Sequence, residues 1–375
     1  MSNSNYLLQE KTAEIAAKIR SSYAQLIAEK SLRTKDAAKH LGISEAELLS
    51  AHRSEDLLSI KTLCAQTDKI PELFSQVHRL GPVLAITRNE HIVHEKQGSY
   101  PQIKIAPRFT NAVSEEIDLR INYQHWKYVF AVSDVQKNNH RYSLQFFDHA
   151  GDAIHKIWLT EESNLDAYHQ ICKDYLSNHV NTVISDISLS EAEKSEASNT
   201  LKNETVKKHN NPFDLEAFHY AWDTMQDTHD FNPMLRRFGL QRHNALKLAG
   251  PKRAQQLHLS ATATMLNTVA SDGQAIMVFV GNPGMIQIHT GQIHRIVEKN
   301  GWLNVMDLKF NLHISQSGIA EAWLVRQANS SGTMTALELY DANNEKIALF
   351  IGAQQLNENE PSQWRDMLED LPKLN

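Results

Sequence analysis

The sequence predicts an α+β fold built as a tandem repeat, each half a helical block followed by a large, mainly antiparallel β-sheet. Three observations carry this. Helical apolar spacing gives way to strand-like alternation twice along the chain. Landmarks of the two strand-rich regions recur at one offset: Asn89 and Asn282, Gly98 and Gly291, and Asp148 and Asp341 all stand 193 positions apart. Between the two regions, residues 182–211 are rich in Ser, Glu, Lys and Asn and nearly free of aromatics, so they have little with which to build a core. The expected division is therefore an N-terminal repeat over 1–181, a polar linker over 182–211 and a C-terminal repeat over 212–375.

In chain order, residues 6–53 read as helical. Leu7, Leu8, Ile15, Ile19, Leu26 and Ile27 fall at helical spacing, and Thr34 to Arg53 form a second block containing AAKHLGISEAELLSA. From about 82 the period shortens to that of strands, in PVLAITR, HIVHEKQG, IDLRINYQHWKYVFAVS and RYSLQFFDHAGDAIHKIWLT. Turn chemistry separates them, as at Arg88-Asn89-Glu90 and His149-Ala150-Gly151-Asp152. Helical spacing resumes from Phe213 to about Val269, and strand spacing from about 275 to 352. Leu119 and Leu312 are in step too, which sets Arg120 opposite His313.

Composition narrows the function. A chain of 375 residues, 41% hydrophobic and 22% charged, can bury a core in each half. Its formal charge of -6 argues against a polyanion as main partner, because nucleic-acid binding draws on neutralised phosphates. Two cysteines, Cys64 and Cys172, are too few for a disulfide framework and suit a reducing compartment. Charges scattered through MSNSNYLLQEKTAEIAAKIR do not fit a signal peptide, and no run reaches the roughly 18 to 20 apolar residues of a membrane span. A cytoplasmic protein without membrane insertion is expected. The 19 histidines are the compositional oddity, since histidine is the commonest side-chain metal ligand.

Five segments, WDTMQDTHDFNPMLRRFGLQRHNAL (222–246), EEIDLRINYQHWKYVF (115–130), LQFFDHAGDAIHKIW (144–158), MVFVGNPGMIQIHTG (277–291) and GWLNVMDLKFNLHI (301–314), resemble the bacterial haemin-degrading and haem-transport proteins found beside haem-uptake systems. The likeness runs through essentially the whole chain. It implies two packed repeats with a haem cleft between the halves, and a proximal iron ligand from a Met-x-Asp-x-His motif, here Met225 to His229. It also implies a distal arginine, matched by Arg120 of the Asp-Leu-Arg strand, which would act on the open iron face by donating to an anionic ligand. Arg242 matches a position that contacts the haem propionates, although Arg236, Arg237 and His243 lie close by in sequence. His94 aligns with a secondary haem contact, while strand alternation could equally turn it to solvent.

The residues themselves give His229 a place. Pro212 reads as a helix start, and Phe218, Trp222, Met225 and His229, spaced 4, 3 and 4, form an apolar stripe that the imidazole ends. Trp222 and Met225 would then wall the haem. A porphyrin needs apolar walls, an imidazole nitrogen for iron and an outer acceptor to orient that imidazole. The plainer reading is a histidine that caps a core helix. For Arg120 it is a strand arginine paired with Glu115 or Glu116.

The chain departs from the family pattern at three places. Asn300 stands where a lysine precedes the Gly-Trp-Leu-Asn turn, Asn122 where a phenylalanine follows the distal arginine, and Ile351-Gly352-Ala353-Gln354 where Tyr-Gly-Gln-Arg is found. Two functions fit the resemblance: carriage of haem to an acceptor, with a haem ABC transporter or a haem oxygenase as partner, and oxidative degradation with iron release. The chain would act as monomer or homodimer. Two other readings are open. TKDAAKHLGISEAELLSA (34–51) has helix-turn-helix spacing, although Glu45 and Glu47 sit where a DNA-facing helix wants positive charge. The altered rim residues would also suit a haem-free small-molecule binder of the same fold.

Overall fold

The computed structural model describes residues 3–30, 32–52, 58–64, 67–106, 109–136, 139–177, 213–330, 332–353 and 359–374. The expected linker, Pro212 and Gln354 lie outside the described residues. The elements are α1 (Asn3–Glu29), α2 (Thr34–Leu41), α3 (Glu45–Ala51), β1 (Leu58–Leu63), α4 (Ile70–Ser75), β2 (Pro82–Arg88), β3 (Ile92–Ser99), β4 (Thr110–Val113), β5 (Asp118–Ile121), β6 (Tyr128–Gln136), β7 (Asn139–Phe147), β8 (Ala153–Leu159) and α5 (Leu165–Asp174). They continue as α6 (Leu215–Asp223), α7 (Phe231–Phe238), α8 (Arg242–Ala249), β9 (Ala254–Leu257), α9 (Ala261–Asp272), β10 (Ile276–Asn282), β11 (Met285–Gly291), β12 (Ile296–Lys299), β13 (Trp302–Met306), β14 (Phe310–Ser315), β15 (Glu321–Asn329), β16 (Gly332–Tyr340), β17 (Lys346–Gly352) and α10 (Ser362–Glu369). The α+β class with large antiparallel sheets is the one expected. Strand β9 interrupts the helical stretch read over Phe213 to Val269, and a 3-10 turn at Tyr123–His125 splits IDLRINYQHWKYVFAVS into β5 and β6.

The described residues fall into two compact units, one drawn from 1–86, 97–206 and 282–285, the other from 87–96, 207–281 and 286–375. Each unit thus takes in a short segment from the opposite half of the chain. In the first unit five strands run in the order β1-β6-β7-β8-β2, with β1-β6, β6-β7 and β7-β8 antiparallel. Phe74 of α4 is fully buried against this sheet, its ring centroid 5.1 Å from Trp126 and 5.2 Å from Phe146. In the second unit β11-β10-β17-β16-β15-β9 form one run and β3-β14-β13-β12 another. Met265, Leu266 and Val269 of α9 and Trp364 and Leu368 of α10 bury their apolar faces in its core.

The repeat read from sequence is a repeat of hydrogen bonds. Asp148 Oδ1 accepts from the main-chain N of Ala150 and Asp152, and Asp341 Oδ1 does the same for Asn343 and Glu345. A β-bulge precedes each turn, at Phe146/Phe147 and at Leu339/Tyr340. In the helical blocks the offset is 197 instead of 193. Gly42 and Gly239 close α2 and α7 in the left-handed region, at φ 71° and 67°, where a glycine carries no steric cost.

The two asparagines at offset 193 do more than end strands. In the second unit Asn89 Oδ1 accepts from His91 N at 3.0 Å and Ile92 N at 2.9 Å, while Nδ2 donates to Ile347 O at 2.8 Å. In the first unit Asn282 Oδ1 accepts from Gly284 N and Met285 N, both at 3.1 Å, and Nδ2 donates to Ile154 O at 2.9 Å. Side-chain volume is exchanged between the two copies. A Cβ on Gly284 would lie 2.8 Å from Ile154 and 3.0 Å from Trp126, whereas in the other unit the large residue is His91 and the small one Gly318, whose Cβ would lie 2.3 Å from the His91 ring.

The helix-turn-helix segment is used for packing. Ser44 and Glu47 form a capping box at the start of α3, and Glu45, Ala46, Leu48, Leu49 and Ala51 are buried. Glu45 Oε1 receives Lys156 Nζ at 2.5 Å. What α3 leaves outward is Glu47 and Ser50, with no basic face for a phosphate backbone. Among the described residues no helix is long and apolar enough to cross a membrane.

Removing either tip carboxamide strands main-chain groups in both strands of its turn. We expect Asn89→Ala and Asn282→Ala each to lower the unfolding free energy by about 2 kcal/mol in urea titrations, a loss larger than for alanine substitution of exposed Asn343.

Candidate functional site

Asp214 starts α6 by accepting from Ala217 N at 2.9 Å, and Phe218 and Trp222 face the core at 0% and 1% exposure. Trp222 Nε1 donates to Arg326 O at 2.7 Å, and its ring meets Phe231 edge-on at 4.7 Å. The stripe expected to run on to His229 as one helix does not do so. The helix ends at Asp223, whose carboxylate is held by Arg253 Nε at 2.8 Å and Nη2 at 2.7 Å, and Gln226 O accepts from Ser330 N at 2.8 Å. These distant partners pull the chain out of helical geometry. Met225 still turns inward and is buried, but His229 sits on a 3-10 turn, Thr228–Asp230, with its side chain 92% exposed.

Asp227 caps that turn. Its Oδ1 lies 2.8 Å from His229 N and 2.7 Å from His229 Nδ1. The main-chain N–H first, and the ring second, hold the Asp227 carboxyl below the ordinary aspartate value. It therefore stays an ionised acceptor at neutral pH, and the contact weakens only as pH falls through that lowered value. Trp222 and Met225, expected as haem walls, lie beneath the turn as its apolar floor. As placed, neither presents a face to a ligand.

Arg242, expected at the propionates, opens α8 and is committed elsewhere. Its Nε donates to Glu338 Oε2 at 2.9 Å and its Nη2 to Oε1, while its Cζ stands 4.4 Å over the Phe231 ring. Glu338 is fully buried and also accepts from Tyr340 Oη at 2.6 Å. Burial alone would raise that carboxyl; the charges of Arg242 and Lys346 and the hydrogen bonds outweigh it and bring the carboxyl down to about 2. Burial likewise works against the Arg242 charge, and Glu338 more than restores it. His243 is buried and paired with Glu321 Oε2 at 2.8 Å. Of Arg236, Arg237, Arg242 and His243, only Arg236 and Arg237 are exposed.

In the other unit, Arg120 on β5 pairs with Asp118, and its Nη1 also donates to Leu119 O at 3.2 Å. Its partner is neither Glu115 nor Glu116: residues two apart on a strand share a face, which brings Asp118 alongside, whereas Glu116 accepts from Ser99 N at 3.0 Å. His94 is fully buried on β3 with Phe310 5.0 Å away, so it does not turn to solvent. Beside it lies a group that sequence reading missed. Lys96 Nζ is 2.9 Å from His289 Nδ1, and Phe310 stacks on His289 at 3.7 Å. Burial, then the Lys96 charge, drives His289 down to about 3, so the imidazole is neutral. Its one sequence signal is that Lys96 and His289 are themselves 193 apart.

Two of the departures have local causes. Asn300 at φ 52° and Gly301 at φ 77° form the two-residue turn between β12 and β13, a geometry that favours Asn-Gly. Asn122 caps the Tyr123–His125 turn by accepting from Gln124 N. Ile351 is a buried apolar residue of β17.

The haemin-degrading HemS.ChuX domain matches twice, over residues 42–175 and 239–371, each match beginning at the glycine that closes α2 or α7. The hemin transport protein HemS of Yersinia enterocolitica is 31% identical over 338 residues, 90% of this chain and 92% of that one. The crystal structure of holo-PhuS, a heme-binding protein from Pseudomonas aeruginosa, superposes with a TM-score of 0.83 at 32% identity, covering 96% of this chain and 99% of that chain. The Escherichia coli O157:H7 heme degrading enzyme ChuS gives 0.83 at 28% identity, covering 95% and 99%.

The Arg242–Glu338 pair sets a stability test. Arg242→Gln removes the bidentate partner of a buried carboxylate, leaving Lys346 as its remaining counter-charge, and should cost about 3–5 kcal/mol. Because the folded Glu338 value is depressed, the stability it contributes is full above the ordinary glutamate value of about 4.3 and is lost as pH falls toward about 2. Unfolding midpoints of wild type and variant, measured across that range, should converge at the acid end.

Proposed function

The chain belongs to the haemin-degrading HemS.ChuX domain family, and on that premise we propose that it binds haem through His229 in the cytoplasm, for delivery to an acceptor and for oxidative degradation with iron release. The observation that carries the reading is the His229 side chain, 92% exposed, with Nδ1 engaged by Asp227 and Nε2 free to meet a metal. Bound haem would supply an iron centre able to ligate oxygen or peroxide. A haem transporter or a haem oxygenase is the partner this function calls for.

Arg120 is proposed as the distal group. Its guanidinium stays protonated and donates several hydrogen bonds, which suits an anionic ligand on iron, and Asp118 holds it in register on β5. Arg242 is proposed to act on the propionate end indirectly, by fixing α8, since two of its nitrogens are taken by Glu338. Arg236 and Arg237, exposed on the neighbouring helix, are free of that commitment and are the better direct donors. With Ile351 and Asn300 in place of a tyrosine and a lysine, delivery is the stronger side of the function.

Titration of the apo-protein with haemin, followed at the Soret band, tests the reading. Wild type should bind one equivalent, and His229→Ala should lose affinity by more than the roughly 10–100-fold that removal of an outer partner costs; equal binding by both proteins would refute ligation by His229. With ascorbate and catalase present, the loaded protein should reduce with slow or partial bleaching. Rapid, catalase-resistant turnover would overturn the emphasis on delivery.

A further inference from the structure

His229 has two ring nitrogens, and the turn that carries it uses one. A carboxylate only accepts, so with Asp227 Oδ1 at 2.7 Å it is Nδ1 that carries the proton and Nε2 that keeps the lone pair. The same oxygen also accepts from His229 N at 2.8 Å, so the ring and the main chain are clamped to one atom. Asp227 is itself held. Met225 is buried on one side of it and Phe231 on the other, Gln226 O is bonded to Ser330 N, and Asp223 is forked by Arg253. The repeat supplies a second observation. At the offset of 197 that relates Gly42 to Gly239, the positions of Asp227 and His229 are occupied by Lys30 and Leu32, so acid and imidazole are absent together from the first copy.

We propose that Asp227 is the positioning residue for the haem ligand, fixing His229 in the Nδ1–H form so that Nε2 meets iron, and that its charge favours ferric over ferrous haem. An anionic acceptor on Nδ1–H makes the imidazole a stronger donor, and a stronger donor stabilises the higher oxidation state. This rests on the haem-binding reading above; the tautomer claim stands on the apo-protein alone. Asparagine in place of Asp227 keeps an acceptor oxygen and removes the charge, whereas alanine removes both.

Two measurements on the full chain separate the claims. Long-range proton–nitrogen correlation on the apo-protein in mildly alkaline buffer should find His229 as Nδ1–H in wild type and Asp227→Asn and shifted toward Nε2–H in Asp227→Ala. A wild-type Nε2–H form, or no change in the alanine variant, overturns the positioning role. On the haem-loaded proteins, the ratio of ferric to ferrous affinity should fall about tenfold in both variants, a rise in midpoint potential of about 59 mV for one electron, with a lowered iron–histidine stretching frequency in the ferrous state. An unmoved potential overturns the charge effect. If His229→Ala binds haem as wild type does, the ligation reading fails while the apo tautomer result still decides the role of Asp227 in the turn.

Discussion

One carboxamide in each unit, Asn89 in one and Asn282 in the other, ties a chain turn to a strand end far away in sequence: Ile347 in the first case and Ile154 in the second. The chemistry suits asparagine. Two main-chain N–H groups need an acceptor on the same side chain that offers a carbonyl a donor, and an ionised aspartate, which only accepts, meets only part of that demand. Since each turn belongs to the opposite half of the chain from the unit it completes, neither half of the sequence closes a unit alone. The packing around the turns follows from this. Gly284 has no room for a Cβ beside Ile154 and Trp126, and Gly318 yields the same space to His91, so the two copies fill one volume by opposite means.

On this shared frame the copies have diverged in their polar groups. The first unit buries Tyr100 against His155, with Tyr100 Oη 2.5 Å from Nε2, and burial drives that imidazole down to about 3. The matching positions in the second unit, Ile293 and Ala348, are apolar core residues. The second unit instead buries Glu338 under Arg242 and carries Asp227 and His229 on the turn before α7, where the first copy has Lys30 and Leu32. Duplication supplied the scaffold twice; the Asp227–His229 turn stands on one copy. The buried ion pair sets Arg242 over the ring of Phe231, the residue that opens α7, while the turn just before it leaves its imidazole exposed.

The neutral His289 against Lys96 belongs to the same theme. The buried Lys96 ammonium lies beside a ring that does not readily protonate, and the Nδ1 lone pair accepts from it. Stacked Phe310 keeps that ring flat and dry. No local sequence pattern distinguishes this lysine from any other on a half-polar strand.

Spacing alone determined the tandem repeat and the helix-then-sheet order within it, because periodicity and turn chemistry are written by near neighbours, while the Met-x-Asp-x-His signature was legible through its likeness to a known family. Folding decided the rest. Where α6 stops depends on Arg253 and Ser330, 30 and 104 positions beyond Asp223 and Gln226, so a stripe that reads as one helix breaks before its histidine. Arg242 finds Glu338 across 96 positions, which turns an expected rim donor into a buried counter-ion. Which charges are desolvated together is fixed by strand register and helix packing over the whole unit, and no window of sequence contains that information.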